Sequence, residues 1–118
     1  MITIDLFKKE DHYDEFAAGQ TIFREGDQPT LMYVVIEGEV TLSVKGNEVE
    51  TVGPGGVLGE MAMIDSVPRS ATAVVRTDCR LVPIDHRRFI FLVQQTPKFA
   101  IQIMRVMADR LRRMDSRL

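Results

Sequence analysis

The segment GPGGVLGEMAMIDSVPRSA, Gly53 to Ala71, sets the carboxylate of Glu60 and the guanidinium of Arg69 behind four glycines, Gly53, Gly55, Gly56 and Gly59. Glycine lets backbone approach another group closely, and Glu60-Met-Ala-Met-Ile is a run of good helix formers directly after the last of them. A glycine turn that opens a short helix presents N–H groups with no intrahelical partner, and such groups attract anions. Arg69 adds a planar fork suited to a phosphate or carboxylate. Pro68 fixes the approach to it, and Ser70 and Ala71 are small enough for their own amides to reach the same ligand. Glu60 has the opposite task, accepting a hydrogen bond from a sugar hydroxyl. Together these groups would hold a sugar hydroxyl beside a phosphate. No nucleophile, general base or metal ligand accompanies them, so the chemistry expected is binding and not an enzyme's. Glu60 and Arg69 taken alone could instead form a structural ion pair, and the same hollow could take another small phosphate or carboxylate ligand.

The elements that must position this segment are short. From Gly19 to Asp85 the runs TIF, LMYVVI, EVTLSV, EVETV, SATAVV and RLVPI are β-branched and cut by glycine and proline, which predicts an antiparallel roll or sandwich over about 13–85. Gly26-Asp27, Glu37-Gly38 and Gly46-Asn47 supply the turns. Val40, Leu42 and Val44 alternate with Thr41 and Ser43, predicting one apolar face. Tyr33 to Ile36 is continuously apolar and must be covered on both sides or lie at a sheet centre. Ile4, Leu6, Phe7, Tyr13 and Phe16 allow a short amphipathic helix at the N-terminus.

After Pro83 the period changes. Asp85 is placed to cap a short helix, and Phe89, Leu92 and Val93 follow at helical spacing. From Pro97 to Leu118 neither Gly nor Pro intervenes, and 22 residues make a rod of about 33 Å. Ala100, Met104, Met107, Leu111, Met114 and Leu118 form a heptad seam, with Phe99, Ile103, Val106 and Arg110 beside it. One flank can press on the roll and the other on a second copy, so a homodimer through 97–118 is expected.

Composition narrows the class further. The chain has 118 residues, which predicts one domain over 1–118, and its formal charge is −2. One cysteine, Cys79, and two separated histidines, His12 and His86, leave neither a disulfide framework nor a metal-ligand cluster. No apolar run approaches membrane-spanning length and no signal-like stretch opens the chain, so a cytoplasmic protein is expected. Cys79 is expected buried; His12, His86, Arg24 and Arg88 are expected at the surface.

Gly59-Glu60-Met61-Ala62-Met63 followed by Pro68-Arg69-Ser70-Ala71 resembles the phosphate-binding cassette of the cyclic nucleotide-binding domain family. AAGQTIFREGD, MYVVIEGEVTLS, VGPGGVLGE and the helices after Pro83 follow in the family's order over about 13–115. The resemblance implies an α+β fold: an antiparallel jelly-roll-like β-roll, a cassette helix and C-terminal helices at about 86–118. It implies that Glu60 bonds the ribose 2′-hydroxyl and Arg69 the cyclic phosphate, with the amides of Gly59, Met61, Ala62, Ser70 and Ala71 completing the cradle. Val52, Val57, Leu58 and Ala73 are the expected base wall, and Arg110 or Arg113 a cap stacked on the base. Ser70, where cGMP-preferring members often carry threonine, points to cAMP over cGMP.

In the family's bacterial transcription-regulator branch, adjacent Thr and Ser on the last helix bond adenine. Met114 and Asp115 stand there in this sequence, which removes that hydroxyl contact. No DNA-reading helix follows the rod in this sequence, so direct DNA binding by this polypeptide is not expected, and the role is either a stand-alone sensor that acts on a separate effector or a regulatory piece of something longer. The alternative is a degenerate domain that keeps the roll for protein contact without nucleotide. The receptor expectation requires Glu60 and Arg69 to share one hollow that no bulky side chain fills.

Overall fold

Alternation of buried and exposed residues organises the strands into two layers, in a computed structural model that describes residues 3–116. The strands are β1 (Asp14–Phe16), β2 (Thr21–Phe23), β3 (Met32–Glu37), β4 (Val40–Val44), β5 (Asn47–Val52), β6 (Val57–Leu58), β7 (Thr72–Val75) and β8 (Cys79–Ile84). A 3-10 turn at Glu60–Met63 separates β6 from β7; helices α1 (His86–Gln95) and α2 (Pro97–Ser116) follow β8. One sheet has the order β1-β8-β3-β6 and the other β2-β7-β4-β5, with every pairing antiparallel. This is the expected α+β roll.

The period of two explains why β3 is apolar throughout. Met32 and Val34 face the helices with Val82 and Ile84 of β8, while Val35 points into the inter-sheet core with Leu81, Val40, Val52 and Ala73. β3 lies between β8 and β6, so it is also internal to its sheet. Pro83 is tolerated in β8 because the pairing with β1 ends at Leu81, opposite Asp14, so Pro83 has a β-partner only on the β3 side.

Asp85 caps α1 as its residue type predicts, its side chain accepting from the Arg88 N–H at 2.8 Å. Phe99, Ile103 and Val106 bury one flank of α2 against this layer, and Phe99 meets Phe7 and Phe89 edge-on. Burying each such side chain is worth about 1.5–3 kcal/mol, enough to fix the first half of α2. The opposite flank carries Met104, Leu111 and Met114, all more than half exposed. Leu118, the last seam position, and the side chain of Asp115 lie outside the described residues.

Three expectations are corrected. The described residues of the N-terminal segment form no helix: residues 6–9 make a turn, and the charged stretch beyond them supplies β1. Phe7 and Ile4 are nonetheless buried, because Ile4 N–H bonds Gly55 O and lays the segment across the roll. In the β4–β5 hairpin the two left-handed residues are Lys45 and Gly46, with Asn47 already paired to Val44. Arg88 is half-buried over Phe7 and bonded to Glu10 at 3.4 Å instead of being solvated. Cys79 is buried as expected, and burial raises its thiol pKa.

Gly38 has φ 89°, and a Cβ there would lie 2.9 Å from Cys79 Cα besides striking the Asp78 carbonyl; around Gly46, φ 82°, nothing lies within 4 Å. Gly38→Ala is therefore expected to cost about 3 kcal/mol, from αL strain plus overlap, and Gly46→Ala only about 1 kcal/mol from strain. Urea denaturation of the two variants checks this; equal losses would remove the packing component.

Candidate functional site

The cassette groups of the candidate site sit where β6 ends and the chain returns to β7. β6 delivers Gly59 and Glu60 directly, and the loop before β7 returns Arg69 to the same place. Gly59 adopts φ 68°, ψ 25°, which turns the chain from β6 into the 3-10 turn. A Cβ on Gly59 would run into Arg69 Nη1, so glycine is required for the guanidinium to lie against the backbone.

Arg69 Nη2 donates to Leu31 O at 2.5 Å and Nη1 to Gly59 O at 3.4 Å, and the guanidinium stacks on Phe23 with Cζ 4.1 Å from the ring centroid. Its Nε is buried with no hydrogen-bond partner among the described residues. Burial pulls its pKa down from the usual arginine value, opposed by the fields of Tyr33, Asp27 and Glu60. Carbonyls and a ring compensate a cation only partly, so this arrangement favours a nearby anion. Tyr33, beside it, has its pKa raised, chiefly by burial.

Glu60 is the one buried charged residue among those described. Its partner is Arg110 of α2, whose Nη1 donates to both carboxylate oxygens, at 2.8 Å to Oε2. Arg110 also forks onto Glu50 of β5, Nε to Oε1 at 3.0 Å and Nη2 to Oε2 at 3.2 Å, and reaches Val57 O at 2.7 Å. Burial acts to lower the Arg110 pKa, but the charges and hydrogen bonds of Glu60 and Glu50 outweigh it, and the net displacement is upward. Arg113 lies at the rim, 2.9 Å from Asp109 and 3.7 Å from Glu50.

Arg69 thus packs on Gly59 and lies within range of the charge of Glu60. The hollow is not clear of side chains, since Arg110 occupies the carboxylate. Val52 and Val57 line a narrow cleft closed by Val106, Asp109 and Arg110 of α2. Leu58 and Ala73 are packed in the inter-sheet core. The cassette helix is a single 3-10 turn, and Ala62 N–H is spent on Gly59 O. Its dipole is correspondingly small, leaving Arg69 as the main positive charge on that side. Met61 is exposed, Ala62 half-buried and Ser70 exposed.

Sequence reasoning missed three partners. Phe23 and the Leu31 carbonyl gave no signal. Glu50 did: it shares a strand face with Val52, two residues on.

The profile of the cyclic nucleotide-binding domain matches residues 13–96, and the chain belongs to that family. A CRP-like cAMP-activated global transcriptional regulator of Mycobacterium tuberculosis is 30% identical over 109 residues, covering 88% of this chain and 49% of that protein. The catabolite activator protein of Thermus thermophilus superposes with a TM-score of 0.82 at 30% identity, over 96% of this chain and 55% of that one. The c-di-GMP-responsive regulator CLP of Xanthomonas campestris gives a TM-score of 0.80 at 26% identity, over 93% and 58%. The chain thus spans about half the length of these regulators. No helix among the described residues is long and apolar enough to cross a membrane.

Arg110→Met keeps the aliphatic stem but leaves Glu60 buried without its cation, and is expected to lower stability by about 3–5 kcal/mol. Adding Glu60→Gln should restore part of the loss. Chemical denaturation of the single and double variants measures both; losses that simply add would show that the two side chains do not interact.

Proposed function

We propose that this chain is a regulatory receptor for a cyclic nucleotide, cAMP, and that it is not an enzyme. The observation that carries this reading is Arg69: a guanidinium held by two carbonyls and an aromatic ring, with its Nε unpaired, beside the buried carboxylate of Glu60. In the proposed complex the cyclic phosphate pairs with Arg69, and the ribose 2′-hydroxyl donates to Glu60. The amides of Gly59, Met61, Ser70 and Ala71 flank the phosphate, and the base lies against Val52 and Val57 under α2. Ser70 and the mycobacterial relative support cAMP over cGMP.

Arg110 supplies the route from ligand to helix. It belongs to α2 and bonds the carboxylate assigned to the ribose, so a ligand that engages Glu60 changes the terms on which α2 is held. The orientation of α2 then shifts by population, to the extent that the nucleotide prefers one arrangement over the other. The exposed seam of Met104, Leu111 and Met114 supports a homodimer through α2, which would convey the shift to an effector protein. The lone buried thiol of Cys79 suits a reducing compartment such as the cytoplasm.

Arg110's hold on Glu60 also favours a second reading, a domain that keeps the roll for protein contact and binds no nucleotide. Calorimetry with cAMP, cGMP, c-di-GMP and 5′-AMP separates the two. The receptor is expected to give tight heat with cAMP and little with 5′-AMP, and silence across the panel would establish the second reading. Arg69→Ala should cost about 2–5 kcal/mol of cAMP binding with folding little changed. An undiminished affinity would remove Arg69 as the phosphate partner. In sedimentation, Leu111→Asp is expected to convert dimers to monomers; a monomeric parent would withdraw the seam.

A further inference from the structure

The distal half of α2 is attached to the roll differently from the proximal half. Phe99, Ile103 and Val106 hold the first turns by apolar burial, and Met107 is the last seam residue packed against that core. Beyond it Leu111 and Met114 face outward, and Arg110 and Arg113 reach the roll through their guanidinium groups. Both arginines converge on Glu50, whose side chain is only 13% exposed. Neither the cassette nor the expected base wall includes this residue.

The geometry of the fork gives Glu50 its consequence. Two guanidinium nitrogens, Nε and Nη2, meet the two Glu50 oxygens side-on, which fixes the plane of the group. With that plane fixed, the remaining nitrogen, Nη1, is the one delivered to Glu60. Arginine has ample rotamer freedom, and the Arg110 side chain is 22% exposed, so an unforked Arg110 has room to swing into water. Glutamine at position 50 would keep the shape but lose the charge and half of the fork.

We infer that Glu50 is a positioning residue that acts through Arg110: it aims Nη1 at Glu60, against which a ribose hydroxyl must compete, and clamps the distal half of α2 to the roll. The ligand part rests on the cyclic-nucleotide reading above. The clamp does not. Glu50 accordingly lowers the affinity for nucleotide while coupling the pocket to α2, and its loss separates the two effects.

The test compares parent, Glu50→Gln, Arg110→Met, the double variant and Glu48→Gln, an exposed carboxylate on the same strand, each checked for fold by circular dichroism. Two quantities are measured: cAMP affinity by calorimetry and, without nucleotide, amide hydrogen exchange over 107–114. Glu50→Gln is expected to tighten cAMP binding about three- to tenfold and to speed exchange by a similar factor. In the Arg110→Met background it should leave cAMP affinity unchanged and keep only the smaller share of the exchange effect carried by Arg113, and Glu48→Gln should leave both at parental values. Unchanged or weaker cAMP binding by Glu50→Gln, or an effect on affinity that survives loss of Arg110, overturns the positioning role. If the parent takes up no cAMP, the receptor reading fails separately. The exchange arm then decides the clamp, which unchanged exchange in Glu50→Gln would refute.

Discussion

Two guanidinium groups share one edge of the roll, and its carboxylates are divided unequally between them. Arg110 bonds two, Glu60 and Glu50, whereas Arg69 bonds the carbonyls of Leu31 and Gly59 and stacks on Phe23. A buried cation beside carbonyl dipoles is far less compensated than one facing a carboxylate, so the two sides of the site differ in what they attract. The acidic side is neutralised by a helix. The basic side retains a net pull on anions. This asymmetry rests on small features of the chain: a missing Cβ at Gly59, a strand two residues long that delivers Glu60, and a helix long enough to bring Arg110 back across the roll.

That helix is in turn divided by the kind of force that holds it. Burial of Phe99, Ile103 and Val106 is non-directional and insensitive to what occupies the cleft. The contacts of Arg110 are directional, involve one carboxylate on β5, another in the cassette and a carbonyl on β6, and change their worth with any group that enters. The proposed shift of α2 needs this division, a proximal half fixed by burial and a distal half held by charge, so that the helix can reorient without unfolding its core contacts. The exposed seam of Met104, Leu111 and Met114 lies on the side away from those contacts, so either attachment leaves it accessible.

The roll was legible because its strands obey a period of two and its turns carry glycine where φ must be positive, as at Gly26 and Gly38. β1 and β6 escaped notice since three and two residues carry no period. The N-terminal helix was misjudged for a related reason: Ile4 and Phe7 are apolar at helical spacing, but they are covered by backbone pairing to Gly55 and by Phe99, with no helix needed. At the site, Glu60, Arg69 and Gly59 were visible because a short stretch of sequence contains them. Arg110 was anticipated as a cap on a base, whereas it pairs with residues 50 and 60 positions away in the chain. Local pattern carries no information about which charge a long helix meets on its return, and a guanidinium can pair with a carboxylate or stack with equal chemical ease.

The pairing of Arg110 with Glu60 bears directly on how a binding event could move a helix. A ligand that touched only Arg69 would gain its affinity equally in any orientation of α2, and such a ligand shifts no equilibrium however tightly it binds. Coupling requires one group whose interaction energy differs between the orientations and which the ligand also contacts. Glu60 meets both conditions, being reached from α2 by Arg110 and lying beside the anion-attracting face of Arg69. When a hydroxyl takes one of its lone pairs, Arg110 retains the Glu50 fork and the Val57 carbonyl, so its charge is never stranded in the cleft. Removing a partner from a buried charge outright costs about 3–5 kcal/mol, whereas trading one of several costs much less. The Glu50 fork thus acts in both directions: by aiming Arg110 at Glu60 it raises what a ligand must supply, and by keeping Arg110 paired afterwards it leaves the charged latch able to close again.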